Sequence, residues 1–369
     1  FRTSTLRILW NSVLLAMLVT GFSLLLSLPL AWLTVRTDLP GRRMWSVLTT
    51  LPLVFPSYVG GYALVAMLGP RGMVQNWLEP LGVERLPSVY GLVGATYALT
   101  LFTYPYLLLT IRAGLRNLDP ALEEASRGMG YGPWQTFRRV TLPALRPAIA
   151  AGVLLVALYV LSDFGAVSIL RYNSFTRAIY IQYLSSFDRS YAALLSLVLV
   201  VLTLLLLFGA QRIQGRSRPY YRMGAGAARS MQLQKLGAWR WPALALCSLV
   251  ELAGLIVPLS VVTNWLVRGL RAGEPLLPAF QATFHSIQAS TLAALAAIVL
   301  ALPVAYLAVR FPSRYSNLIS QSVYVGYGLP GIVIALSLVF FGANFLPWLY
   351  QTLTMLIFAY VVRFLPQAT

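Results

Sequence analysis

Charge is scarce in this sequence. Only 10% of its 369 residues are Asp, Glu, Lys or Arg, against about 25% in soluble domains. A soluble fold would therefore have less than half of its usual solvated surface. One cysteine, Cys247, excludes an internal disulfide framework, and one histidine, His285, excludes a Cys/His metal cluster. The single lysine, Lys235, stands between Gln234 and Leu236, so no Gly-Lys-Ser/Thr phosphate-binding loop exists and the chain cannot be an ATPase. Neither HExxH nor a nucleophile elbow occurs. No catalytic residue, metal site or cofactor is expected.

What the chain has is apolar length. Hydrophobic residues make up 58%, and mean hydropathy is +0.73. A membrane helix needs about 20 mostly apolar residues. Segments near 9–35, 45–69, 88–111, 147–170, 190–211, 241–267, 283–309 and 318–342 qualify, and a ninth runs from 347 to the end. Prolines inside them, such as Pro29, Pro52, Pro56 and Pro303, are tolerated where neighbouring helices repair the backbone. The net charge of +18 does not indicate nucleic acid, because the arginines cluster between apolar runs and form no continuous basic face. Nineteen of the 28 basic residues fall on one set of connections, including Arg36, Arg42, Arg43, Arg112 and Arg116. By the positive-inside rule that set is cytoplasmic, so the first span runs inward. The sequence opens on Phe1, not Met, so its start is expected to be cut and no cleavable signal is readable.

The sequence matches itself at an offset of 274. LPLAWLTVRTDLP (28–40) falls on LPVAYLAVRFPSR (302–314), with Pro29 on Pro303, Arg36 on Arg310 and Pro56 on Pro330. After a shorter outer loop, YALTLFTYP (97–105) falls on FAYVVRFLP (358–366). Repeated bundles are common in transporters, with the path between the copies. The expected organisation is a first bundle at 1–211, a basic linker at 212–240 and a second bundle at 241–369. The first copy is expected to lack its leading span. The second is expected to stop before its counterpart of residues 118–147, which the repeat places at an acid near 385, a glycine near 391 and a Leu-Pro pair near 404.

Residues 118–147, LDPALEEASRGMGYGPWQTFRRVTLPALRP, are polar and punctuated within this apolar chain. Asp119-Pro120 reads as N-cap and first helical position, opening a short helix over 121–129. Glu123 and Glu124 lie towards its positive end and Arg127 towards its negative end. Gly130, Gly132 and Pro133 break it, and a second short helix ends at Leu142-Pro143. The result is a stiff elbow on the cytoplasmic face, or else an ordinary amphipathic surface helix.

Glu124-Ala125-Ser126, three residues, Gly130, nine residues, then Val140-Thr141-Leu142-Pro143 resembles the EAA motif of bacterial ABC-importer permeases. Ser126 stands for Ala and Val140 for Ile. The resemblance implies an all-α membrane protein, a polytopic helical bundle of two repeated type I ABC-importer permease bundles, truncated at both ends. It also implies that the elbow docks on a separate ATPase subunit, in two copies. The implied coupling residues are Glu123, Glu124, Ala125, Arg127, Gly130, Leu142 and Pro143. VRTDLPGRR, LGPRG, LEEASRGMG and LYVLSDFGAVSILRYNSFTRAIY together resemble the fused two-bundle permeases of iron(III) importers. Permeases for thiamine, polyamines and sulfate share the architecture and remain alternatives.

Asp163 lies inside an apolar run. An acid at that depth costs about 2.5–3.5 kcal/mol on insertion scales and faces a polar interior. It either lines the translocation path, with Phe164 and Gly165 allowing close helix approach, or bonds a neighbouring helix and fixes packing. Glu251 raises the same question and reads as structural. His285 reads as interfacial and Cys247 as a small apolar filler. The outer segment Arg171–Arg177 receives a soluble binding protein or forms a plain interfacial belt. The expected function is thus a permease subunit of an ABC importer in the bacterial inner membrane, for iron(III). It would work with a periplasmic or extracellular binding protein, an ATPase and membrane lipid, without nucleic acid. The alternative from another class is an ion-driven secondary transporter using Asp163 and Glu251.

Overall fold

The computed structural model describes residues 3–70, 72–82, 86–185, 190–214, 233–311, 313–316, 319 and 329–368. Among the described residues the regular structure is helix, with one isolated β-bridge between Thr37 and Gln234. The helices are α1 (Thr3–Arg36), α2 (Arg42–Leu48), α3 (Ser57–Leu68), α4 (Met73–Leu78), α5 (Leu92–Asn117), α6 (Pro120–Gly128), α7 (Pro133–Thr136), α8 (Leu142–Ala144), α9 (Arg146–Ser162), α10 (Gly165–Ile169), α11 (Phe175–Ser185) and α12 (Ser190–Gln214). There follow α13 (Arg240–Glu251), α14 (Val257–Arg271), α15 (Leu277–Arg310), α16 (Gly331–Phe345) and α17 (Leu353–Ala368).

Five helical stretches are long and apolar enough to cross a membrane: 4–36, 92–117, 190–209, 237–271 and 277–310. Two bent pairs raise the number to seven, and α16 and the 353–365 part of α17 are shorter apolar helices. The segment expected at 45–69 is not a straight span: residues 42–54 and 57–76 meet at 93°. Proline causes the corner. Pro56 forces Phe55 into an extended conformation (φ −78°, ψ 122°) and then caps α3. The segment expected at 147–170 breaks at Asp163–Phe164, between α9 and α10. The first part of the 318–342 segment and residues 215–232 of the linker lie outside the described residues.

The chain forms two compact units, residues 1–177 with 206–263, and residues 178–205 with 264–369. In the first, α5 is the central helix and packs against α1, α3 and α9. Its Leu99, Tyr104, Leu107, Leu108, Ile111 and Leu115 are all fully buried. Lipid tails are as apolar as leucine, so close packing and polar contacts hold such helices together. Gly152 of α9 shows the packing: a methyl there would collide with Leu107 and Thr110 of α5. In the second unit α15 packs against α17. Its buried positions Ala289, Ala293, Ala297 and Ala301 repeat every fourth residue, a small-residue stripe that lets a helix come close.

Two elements placed in register by the sequence repeat have matching local structure. Residues 3–36 and 277–310 are both 34-residue helices, with Pro29 and Pro303 at the same place in each. Pro56 caps α3 and Pro330 caps α16, with nearly equal backbone angles.

Candidate functional site: the elbow between α5 and α9

Residues 118–145 leave α5 at Leu118, whose extended backbone (ψ 133°) ends that helix. Asp119 caps α6, its carboxylate accepting from the Ala121 amide at 3.0 Å with Pro120 at the first position. Such a cap contributes about 1 kcal/mol. After α6 the chain reverses at Gly130, whose φ of +85° is left-handed. The Gly130 amide still donates to the Arg127 carbonyl at 2.9 Å, so the turn is closed as well as sharp. α7 starts at Pro133.

The second short helix ends at Ala144, one residue past the expected Leu142-Pro143. The helical run continues through Phe137–Thr141 as a π-helical turn, through α8, and meets α9 at a 62° bend near Leu145. Proline explains the π turn. Pro143 has no N–H to offer the carbonyl four residues back and its ring crowds that position, so the preceding turn widens. The π turn at Leu252–Ile256 precedes Pro258 in the same way.

The two adjacent acids part company. Glu123 is buried; its carboxylate accepts from the Thr141 hydroxyl at 2.8 Å and stands 3.4 Å from the Arg36 guanidinium. Ser126, one turn on, meets the Thr136 hydroxyl at 3.0 Å. Glu123 and Ser126, three residues apart, thus share one helix face, and that face clamps α6 to the following helical run. Glu124, Ala125, Arg127 and Gly130 lie on the exposed side, with Met129 71% and Trp134 70% exposed. Leu142 and Pro143 are half-buried in the rising helix and stiffen its base.

Arginines on the spans tie this elbow to the bundle. The same Nη2 of Arg36 that faces Glu123 donates to the Leu115 carbonyl at 3.1 Å, linking the end of α1 to α5. Arg112 of α5 is buried and donates to the Thr34 hydroxyl (3.0 Å), the Ser46 carbonyl (2.7 Å) and the Thr49 hydroxyl (2.6 Å). Tyr104 donates to the Thr49 carbonyl at 2.9 Å. Glu251 is buried beside Tyr104, Arg112 and Cys247. The charge pattern assigns Arg36 and Arg112 to cytoplasmic connections, whereas in the structure both are buried within helices. Arg36 ends an apolar helix and Arg112 lies inside one, which was the available signal.

Asp163 is fully engaged. Its carboxylate accepts from Ser57 and from the amides of Ala166 (3.0 Å) and Val167 (3.3 Å), capping α10, while its carbonyl accepts from Thr176 at 2.6 Å. Phe164 is half-buried beside it. Gly165 allows close approach, since a Cβ there would lie 2.7 Å from the Tyr58 Cβ. The segment after α10 is pinned to α1: Asn11 donates to the Asn173 carbonyl, Tyr172 to the Asn11 carbonyl, and the Phe175 amide to Ser12. Arg171 and Asn173 stay exposed, Arg171 lying 5.0 Å over the Tyr90 ring. His285 is exposed and Cys247 wholly buried. Among the described residues, no three His, Cys, Asp or Glu side chains gather as a metal group would require.

Apolar helices long enough to span, bent at prolines and joined by one rigid polar elbow, define a polytopic membrane transport permease. The chain belongs to the family of binding-protein-dependent transport system inner membrane components, whose model matches residues 23–219. Over its whole length it is 33% identical to the Fe(3+)-transport system permease protein FbpB 2 of Haemophilus influenzae, covering 100% of this chain and 70% of that one. It is 30% identical to a probable sulfate transport system permease protein, cysT, of Chlorokybus atmophyticus, covering 59% and 76%. It is also 35% identical to the molybdenum transport system permease protein ModB of Escherichia coli K12, covering 42% and 69%.

Proposed function

We propose that this chain forms the membrane path of an ABC importer for iron(III) and takes its driving motion from a separate ATPase through the elbow at 118–147. The observation that carries this reading is the division of the elbow into a clamped and a presented face. Glu123 and Ser126 hold α6 to the helical run leading into α9. Glu124, Ala125, Arg127 and the Gly130 turn stay outside, where a cleft on a partner can grip them. A lever fixed at both ends to membrane helices turns a partner's closure into rearrangement of the bundle. The chain itself performs no covalent chemistry; a periplasmic binding protein delivers the substrate to the outer face, where Arg171 and Asn173 are exposed on a segment tied to α1.

Iron(III) as substrate is supported by the full-length similarity to an iron permease and by the LSDFGAV and RYNSFTRAIY stretches. Sulfate and molybdenum permeases match over shorter parts, and thiamine and polyamine permeases share the build. The test is uptake in vesicles holding the permease with its ATPase and binding protein. Iron(III) uptake that needs ATP and the binding protein supports the proposal. Uptake driven by a proton or sodium gradient without ATP contradicts it and favours the ion-coupled alternative through Asp163 and Glu251.

A further inference from the structure

Where α1 and α5 end, a pocket of about 430 Å³ opens that the elbow does not use; its lining includes Arg42, Arg43, Arg116, Thr34, Ser46 and Leu233. Thr34 lies in the last turn of α1 and Arg116 in the last turn of α5, while Arg42, Arg43 and Ser46 share one face of α2. The walls are held from behind. Buried Arg112 donates to the Thr34 hydroxyl at 3.0 Å and to the Ser46 carbonyl at 2.7 Å, joining α1 to α2. Both hydroxyls are themselves spent on backbone, Thr34 donating to the Leu30 carbonyl and Ser46 to the Arg43 carbonyl, each at 2.7 Å. Leu233 is held in the lining by its neighbour Gln234, which exchanges backbone hydrogen bonds with Arg36 (2.9 Å) and Asp38 (3.1 Å). The donors left to the pocket are its three guanidiniums. Among the described residues none of the three has a side-chain hydrogen bond or ion pair, and no acid lines the pocket. The acids nearest in sequence are engaged elsewhere: Asp38 accepts from the Leu236 amide at 2.8 Å and Asp119 caps α6.

We propose that this pocket binds the headgroup phosphate of an anionic phospholipid from the cytoplasmic leaflet. The ends of α1 and α5 each add about half a negative charge, so roughly two of the three positive charges are left for a ligand. The positive-inside rule asks for basic residues on this side, but not for three of them to line one cavity. Guanidinium forks suit phosphate oxygens in geometry as well as in charge. Depth favours a lipid over a soluble anion. The pocket lies at the ends of two helices long enough to span, 4–36 and 92–117, which is headgroup level. Beside its arginines α2 also leaves Met44 and Val47 exposed, three residues apart on one face. Acyl chains cover such a pair, whereas a soluble anion leaves it in water. Basic pockets between spans on the cytoplasmic side suit anionic headgroups for these reasons. A headgroup held by Arg42, Arg43 and Arg116 ties α2 to the end of α5, from which the elbow leaves. The proposal rests on the membrane-spanning fold and is independent of ATPase docking and of the transported substrate.

The experiment uses the purified chain alone, without an ATPase, in detergent micelles. Native mass spectrometry counts bound lipid during titration with phosphatidylglycerol, phosphatidylcholine or inorganic phosphate. Phosphatidylglycerol should bind at about thirtyfold lower concentration than phosphatidylcholine, from two net charges at the headgroup. Arg43→Gln with Arg116→Gln, both at exposed positions, should bring that ratio close to one, and Arg43→Lys with Arg116→Lys should keep most of it. Arg310→Gln with Arg314→Gln removes the same charge from another exposed connection and should leave the ratio intact. Equal binding of the two lipids, or a ratio that survives in the Arg43/Arg116 glutamine variant, overturns the proposal. So does a ratio lost equally in the Arg310/Arg314 variant, which would mean diffuse surface charge. Inorganic phosphate that displaces phosphatidylglycerol at equal concentration assigns the pocket to a soluble anion and overturns it as well. Failure here leaves the elbow proposal standing, because that one is tested by ATPase association.

Discussion

The Arg36 guanidinium, at the last residue of α1, lies 3.4 Å from the Glu123 carboxylate in the first turn of the elbow helix. Both side chains are buried; the Thr141 hydroxyl donates to Glu123 and Arg36 donates to the Leu115 carbonyl, while the Arg36 Nε has no hydrogen-bond partner among the described residues. The end of α1 therefore meets the end of α5 and the elbow that follows it at one ion pair. A buried pair is weak evidence of net stability, but breaking it by removing one partner is costly.

Arg36→Ala should lower unfolding stability by about 3–5 kcal/mol, since Glu123 is left charged and buried. Glu123→Gln should cost less, because the amide still accepts from Thr141. Thermal unfolding of both single variants and the double variant measures the coupling. Strict additivity would show that the pair does not interact.

Gly130→Pro should disrupt the elbow while leaving insertion intact. Proline fixes φ near −65° where the chain needs +85°, and it removes the amide that donates to Arg127. Gly130→Ala should cost only about 1–2 kcal/mol, the strain of a left-handed alanine, since a Cβ there would meet nothing within 4 Å. Uptake should fall to background for proline and persist in part for alanine. Normal substrate-stimulated ATP hydrolysis with Gly130→Pro would remove the turn from the mechanism.

Asp163→Ala should destabilise the protein by about 2–3 kcal/mol through loss of the α10 cap and of the Ser57 hydrogen bond. Asp163→Asn should cost roughly 1 kcal/mol, since an amide oxygen still caps. Transport should fall in step with stability across the two. A collapse of transport in the stable Asn variant would put the charge itself on the path.

Much of this was legible in the residues. Asp119-Pro120 and Gly130 announced the cap and the turn because local backbone chemistry decides both. The repeat showed because prolines and arginines recur at fixed offsets whatever the apolar filling. The 93° corner at Pro56 and the break at Asp163 were not legible, since hydropathy records length and not direction. Nor was the choice between Glu123 and Glu124 as the buried acid. That depends on Thr141 and Arg36, which are brought to Glu123 only by packing. The three hydrogen bonds of Arg112 were hidden for the same reason: its acceptors sit on α1, on α2 and just beyond α2.

The central claim is that the outer face of α6 carries the ATPase contact while its inner face carries the fold. Glu124→Arg, purified with its cognate ATPase subunit and reconstituted, tests it most directly. The account predicts a folded, inserted protein with loss of ATPase co-purification and loss of substrate-stimulated ATP hydrolysis. An intact complex hydrolysing ATP at the normal stimulated rate would contradict it.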